Sequence, residues 1–185
     1  MVEMVPKAVL MGRAVAGSPE TATIAALPLA ARFVLQLDPA ADAGALGPVA
    51  GFDLSGPLNT VRGTGDRLAA RLGPYEWLLI GPEAETEALQ GAISDGLGGT
   101  FHSLVDVSHR NAAIALSGPA VADVLNAGCP LDLAESAFPK GSATRTILGK
   151  AEIALMRPEG SEAWRLECWR SFAPYVHAFL TEAAR

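Results

Sequence analysis

The sequence predicts an α+β fold made of two units, each with an antiparallel sheet and helices packed on one face. Three observations carry this expectation. Short strand-length apolar runs end repeatedly at Gly and Pro. Helically spaced apolar residues appear between those runs in both halves of the chain. Glycines cluster at Gly96, Gly98 and Gly99, where the order of strands and helix begins again. The 185 residues have room for one domain or for two small ones sharing an interface. The expected division is an N-terminal arm at 1–30, a first α+β half at 31–98 and a second at 99–185.

Residues 1–30 show no clear periodicity and are expected to form an extended or partly ordered arm. Arg32 to Leu37 has strand length and stops at Asp38-Pro39. The Ala-, Gly- and Pro-rich stretch 39–51 is expected as a loop with room for a short helix. Leu58 to Gly63 suits a short strand. Leu72-Gly73-Pro74-Tyr75 turns the chain into Glu76 to Ile80, a buried strand ended by Gly81-Pro82. Glu83 to Leu97 fits a helix, with Leu89 and Ile93 four apart and Glu83, Glu85 and Glu87 in its first turns, where the helix dipole favours acids.

In the second half, Ser103 to Ser108 is expected as a strand, and Asn111 to Leu116 as its continuation or the next one. Gly118-Pro119 opens a helix with Pro at the first helical position. Val121, Val124 and Leu125 give that helix one apolar face, and Gly128 is the expected left-handed stop. Thr144 to Leu148 and Glu152 to Met156 form a strand pair across Gly149-Lys150, with Ala151, Ile153 and Leu155 alternating. Trp164 to Arg170 alternates as a further strand. Ser171 is the expected cap of a last helix whose apolar face is Phe172, Val176, Phe179 and Leu180.

Composition excludes several function classes. Half of the residues are hydrophobic and 18% are charged, so the chain has the makings of a core and not of a disordered segment. A net charge of -6, with 14 scattered basic residues, excludes a nucleic-acid partner. Mean hydropathy of +0.27 fits a chain whose apolar surface a partner covers, although alanine alone also raises it. The first residues are interrupted by Glu3, Pro6, Lys7 and Arg13, which leaves no secretory apolar core, and no window has the length of a membrane helix. Cys129 and Cys168 do not make a disulfide framework. A cytoplasmic location with reduced thiols is expected.

No catalytic constellation stands out. Asp106, Ser108 and His109 are close in sequence, but on a strand Ser108 and His109 point to opposite faces. His102, His109, His177, Cys129 and Cys168 lack metal-ligand spacing, and His177 suits a partly buried place on the last helix. Cys129 and Cys168 fit small core hydrophobes, Cys168 on one strand face with Trp164 and Leu166. Arg62-Gly63-Thr64-Gly65 and Gly96-Leu97-Gly98-Gly99 complete no nucleotide fingerprint and suit turns.

Ordered motifs then carry a resemblance. Val105-Asp106-Val107-Ser108-His109 followed by Leu116-Ser117-Gly118-Pro119 resembles the folate-binding T-protein (aminomethyltransferase) superfamily. Gly128-Cys129-Pro130-Leu131-Asp132-Leu133, Phe138-Pro139-Lys140-Gly141 and Arg145-Thr146 narrow the resemblance to the gamma subunit of heterotetrameric sarcosine oxidase. Leu72 to Leu79 and Glu167 to Phe172 complete the pattern, which spans residues 72–173 in order. The resemblance implies the fold of the amino-terminal region of the glycine-cleavage T-protein. It implies a non-catalytic accessory subunit with alpha, beta and delta partners, in a complex that oxidises sarcosine to glycine and hydrogen peroxide and passes a one-carbon unit to tetrahydrofolate. It also implies that this chain binds no cofactor, the FAD, FMN, NAD, tetrahydrofolate and zinc residing in the other subunits.

Departures from the superfamily pattern point the same way. The region matching the T-protein Gly-Gly-Ile-x-Asp-Asp segment runs Arg145 to Ile153 without an Asp pair, and Glu152 is its one acid, suited to a solvated strand face. Cys129 lacks the Lys-Gly-Cys setting of the iron–sulfur-maturation branch. The competing functional readings are a stand-alone folate-dependent aminomethyltransferase-like protein and a free scaffold domain. Arg110, Arg145, Trp169 and Arg170 are the candidate subunit-interface residues, because aromatic and Arg side chains dominate interface energetics. The alternative puts Trp169 in the core and the arginines in surface ion pairs.

Overall fold

The computed structural model describes residues 8–40, 47–63 and 65–185. Its strands are β1 (Ala16–Gly17), β2 (Thr23–Ala26), β3 (Ala30–Leu37), β4 (Pro48–Val49), β5 (Phe52–Asp53), β6 (Thr60–Arg62), β7 (Leu68–Gly73) and β8 (Glu76–Pro82), then β9 (His102–Asp106), β10 (Asn111–Ser117), β11 (Ser142–Leu148), β12 (Ala151–Arg157) and β13 (Trp164–Trp169). The helices are α1 (Thr86–Leu97), α2 (Val121–Asn126) and α3 (Ala173–Ala183). A turn of 3-10 helix at Glu83–Glu85 leads into α1. Eleven strands form one sheet in the order β1-β2-β10-β13-β12-β11-β6-β7-β8-β3-β9, and β4 pairs with β5 apart from it. Every pairing is antiparallel, as the fold class requires.

The long sheet is two sheets joined at a narrow seam. Between β6 and β11 one residue pair, Thr60 with Ser142, is in register. Val61 N–H donates to the Gly141 carbonyl at 2.8 Å, and Ala143 N–H donates to that of Asn59 at 2.9 Å. Around this seam the inner faces of the two halves close on each other. Val61, Leu68, Ala70, Leu78 and Ile80 from one side share a buried cluster with Ala143, Ala154 and Met156 from the other. The outer face of β3, β7 and β8 packs on α1 through Phe33, Leu35, Ala69, Trp77, Leu79, Leu89 and Ile93. The opposite outer face packs on α2 and α3 through Ile114, Ile153, Leu155 and Leu166. Strand β8 is therefore buried on both faces, which is why Trp77 to Ile80 is continuously apolar.

Within this inner layer lies a buried ion pair. Arg32 on β3 and Glu167 on β13 are each 1% exposed, and Arg32 Nε donates to Glu167 Oε2 at 2.7 Å across a sequence separation of 135. Arg165 Nε donates to the other carboxylate oxygen at 2.8 Å, and Arg32 Nη1 donates to the Ala30 carbonyl at 3.1 Å. Each carboxylate oxygen thus has a charged donor, the condition under which a buried charge is tolerated.

Several local expectations are revised. Residues 16–26, assigned by sequence to the arm, form β1 and β2, and β2 pairs with β10 while Ile24 is fully buried. The alternation of Ala22, Ile24 and Ala26 was the signal for it. Strand β7 is a further addition: its sequence Leu-Ala-Ala-Arg-Leu-Gly has no β-branched residue, and burial on both faces overrides that propensity. Strand β9 pairs with β3, on the first half's side of the seam. The short helix allowed within 39–51 falls partly on residues 41–46, outside the described residues; on either side of Ala50-Gly51 the chain forms the β4–β5 pair.

Helix α2 starts at Val121 with Ala120 at its N-cap, so Pro119 lies just before the helix and not at its first position. Gly118 there has φ of 125° and sits where a Cβ would lie 2.4 Å from the Thr21 carbonyl, so the approach of the segment leading into β2 requires glycine. Gly128 is not in the left-handed region; it is glycine because a Cβ would lie 2.6 Å from Phe179 Cζ. Phe172, not Ser171, occupies the N-cap of α3, without a side-chain cap, and Pro174 lies in the first turn of the helix.

Glu167→Gln leaves two guanidinium groups facing a neutral amide inside the protein. It is expected to cost about 3–5 kcal/mol, seen as a lowered urea midpoint, whereas the double variant Arg32→Met/Glu167→Leu recovers most of that loss. His177 on α3 is buried, and burial, with Arg13 nearby, holds its imidazole below the ordinary histidine value. The unfolded chain then takes up the proton first as pH falls, so this contribution is complete above about pH 6.5 and declines below it. Urea midpoints at pH 7.5 and 5.5 should differ, and the His177→Phe variant should show a smaller difference.

Candidate functional site

The inner faces that pack tightly at the seam part from one another further along the strands. The resulting cleft has a volume of about 290 Å³. Leu72 and Leu78 from the first half face Ala154 from the second across it. Strand alternation accounts for the rest of the lining. Arg145 pairs with Ala154, and Ile147 with Glu152, across β11 and β12, while Ala154 pairs with Glu167 on β13. These residues share one sheet face with Trp169, two positions beyond Glu167.

Three of the four candidate interface residues, Arg110, Arg145 and Trp169, line this cleft. Arg110, Trp169 and Arg170 also line a second, shallower groove with Val9, Ser171 and Pro174. The β10–β13 ladder brings them together: Asn111 is opposite Trp169, and Arg170 N–H donates to the Arg110 carbonyl at 2.8 Å. Trp169 is 47% exposed and meets Phe172 edge-on at 6.5 Å between ring centroids. It is therefore a surface residue, while Cys168 faces the core. Arg145 forms an ion pair with Glu76 of the other half. Glu152 is exposed on the cleft rim.

The Asp106–Ser108–His109 cluster has a structural explanation. Ser108 and His109 lie in the turn after β9, not on a strand, so their separation does not come from strand alternation. Ser108 Oγ donates to Asp106 Oδ1 at 2.5 Å and accepts the Arg32 backbone N–H at 2.9 Å. Ser108 N–H also donates to Asp106 Oδ1, at 2.8 Å. The hydroxyl is thereby committed to fixing the turn and the backbone of the residue that carries the buried guanidinium.

The sulfur atoms are equally committed. Burial, and then the neighbouring Glu167 carboxylate, push the Cys168 thiol up to about 12, so it is protonated at neutral pH. Cys129 is buried as well, with Sγ 3.9 Å from Thr146 Oγ1. His102 Nδ1 lies 2.8 Å from the Thr100 carbonyl, His109 occupies the turn, and His177 is inside α3. No three His, Cys, Asp or Glu side chains gather into a metal-holding group among the described residues. Among them, no helix is long and apolar enough to cross a membrane. What the site presents is an apolar floor, an exposed indole, and a rim of guanidinium, amide and carboxylate groups.

Comparison with known proteins agrees with this architecture. The glycine cleavage aminomethyltransferase T from Bartonella henselae has a similar fold, with a TM-score of 0.64 over 87% of this chain and 45% of that one. At 11% identity, that likeness speaks for the fold alone. A chain of the heterotetrameric sarcosine oxidase from Corynebacterium sp. U-96, solved with pyrrole 2-carboxylate, matches over 96% of this chain and 90% of its own length, with a TM-score of 0.74 and 29% identity. The curated sarcosine oxidase subunit gamma of Arthrobacter sp. is 35% identical over 121 residues, which is 65% of this chain and 58% of that protein. The family model described as "Sarcosine oxidase, gamma subunit family" matches residues 36–185, and the chain belongs to that family.

Proposed function

We propose that this chain is an accessory subunit of a heterotetrameric sarcosine oxidase, assembling in the cytoplasm with alpha, beta and delta subunits. The complex oxidatively demethylates sarcosine to glycine, yields hydrogen peroxide and hands the one-carbon unit to tetrahydrofolate. FAD, FMN, NAD, tetrahydrofolate and zinc belong to the other subunits in this reading, and this chain contributes architecture to the complex. One observation carries it: the family match over residues 36–185 coincides with a likeness to a chain of a heterotetrameric sarcosine oxidase over 96% of this one. A stand-alone aminomethyltransferase is not favoured, since the likeness to that enzyme is of fold alone and covers 45% of its length.

The surface around Trp169 is the proposed subunit contact. An exposed indole between Arg110 and Arg170, with Arg145 across the cleft, has the composition of an interface hot spot. Burying that indole against a partner removes apolar area from water, and the arginines supply directional donors at its rim. The buried thiols and the committed Ser108 hydroxyl support an architectural role over nucleophilic catalysis.

Co-expression with alpha, beta and delta subunits should give stoichiometric co-purification, and its failure with a folded chain would remove the reading. Trp169→Ala is expected to weaken assembly by about 2 kcal/mol or more without lowering the urea midpoint of the isolated chain. A variant that misfolds would instead assign Trp169 to the core. Native-state alkylation should leave Cys129 and Cys168 unmodified until the protein unfolds; fast labelling of Cys168 at neutral pH would contradict its protonated, buried state.

A further inference from the structure

The sheet ends differently at its two edges. Strand β1 is two residues long and runs directly into Ser18-Pro19, a short edge flanked by proline that resists pairing. Strand β9 is five residues long, and among the described residues β3 is its one neighbour in the sheet. Its sequence His102-Ser103-Leu104-Val105-Asp106 has no Lys, Pro or Gly, and its ladder with β3 has no register shift. Val107 N–H donates to the Arg32 carbonyl at 2.8 Å across that ladder. Because antiparallel pairs alternate, the N–H and C=O groups of His102, Leu104 and Asp106 point away from β3. Val105, and Phe101 just before the strand, are 50% and 94% exposed.

We propose that β9 is a docking edge for an extended segment of a partner subunit, which adds one more antiparallel or parallel strand to the sheet. This rests on the reading of the chain as a subunit. The backbone groups of β9 call for a strand, since that geometry satisfies them at every second residue. Apolar side chains on alternate positions of the incoming segment would cover Val105 and Phe101. The edge is also continuous with the proposed contact surface: β9 passes through the turn Val107–Arg110 directly to Arg110, beside Arg170 and Trp169. One partner can follow the edge onto that surface.

Hydrogen exchange on the free chain and on the co-purified assembly tests this. The His102, Leu104 and Asp106 amides should exchange freely in the chain alone and slow by about tenfold or more in the assembly. The double variant Phe101→Lys/Val105→Lys should lower co-purification about tenfold with an unchanged urea midpoint, both positions being exposed. Unchanged exchange at those three amides, in an assembly where the end of β13 at Trp169 becomes protected, would overturn the docking edge and leave the subunit reading intact. Absence of any co-purification removes both. Slowing that depends on the concentration of the free chain would identify a second copy as the occupant and overturn the partner segment. If the free chain does not fold, the lysine variant compared within the co-expressed assembly decides alone.

Discussion

Arg32 and Glu167 meet where the two half-sheets close on each other, and much of the structure is arranged to keep that pair satisfied. A guanidinium and a carboxylate buried together stabilise a fold only when their remaining donors and acceptors are also met. Here Arg165 occupies the second carboxylate oxygen, and the Ala30 carbonyl takes another guanidinium N–H. Ser108 and Asp106 hold the backbone of Arg32 in place from the turn after β9. Directional hydrogen bonds between Arg32 and Glu167 tie β3 to β13 across a sequence separation of 135.

The same closure produces the candidate site. The inner faces cannot stay in contact along their full length, because twisted sheets diverge away from their point of closest packing. At the seam they share the cluster around Ala154 and Met156, and further out they open into the cleft beneath Arg110, Arg145 and Trp169. Arg145 and Glu76 bridge the halves across that opening. The proposed contact surface is thus built on rigid strand ends, which suits a surface that has to present one fixed arrangement to a neighbour.

Groups that resemble catalytic parts are used as structural ones. The Ser108 hydroxyl fixes a turn, the Cys168 thiol fills a core beside Leu166, and Glu167 accepts hydrogen bonds from two arginines. The T-protein-like fold is present, and Glu152 lies exposed on the rim of the cleft. Such an arrangement is consistent with a fold retained for its shape and surfaces, in the architectural role proposed for the chain.

The sequence by itself determined the fold class, most strands, the helices and the family, because periodicity, turn residues and ordered motifs are local properties. The strand from Glu76 was legible in its apolar run, and Cys168 and Trp169 were correctly separated onto opposite faces by alternation alone. Strand β7 was hidden because its alanines and arginine have no strand preference; β2 had a local signal in the alternation of Ala22, Ile24 and Ala26, but its pairing with β10 spans a separation of 94 (Thr23 to Ser117). Only the tertiary structure decided that Arg32 is buried against Glu167, that Ser108 serves its backbone, that Arg110, Arg145 and Trp169 share one cleft, and that β9 is an edge strand among the described residues. Each depends on which strands become neighbours across the seam, and pairing between distant strands is written in no local pattern.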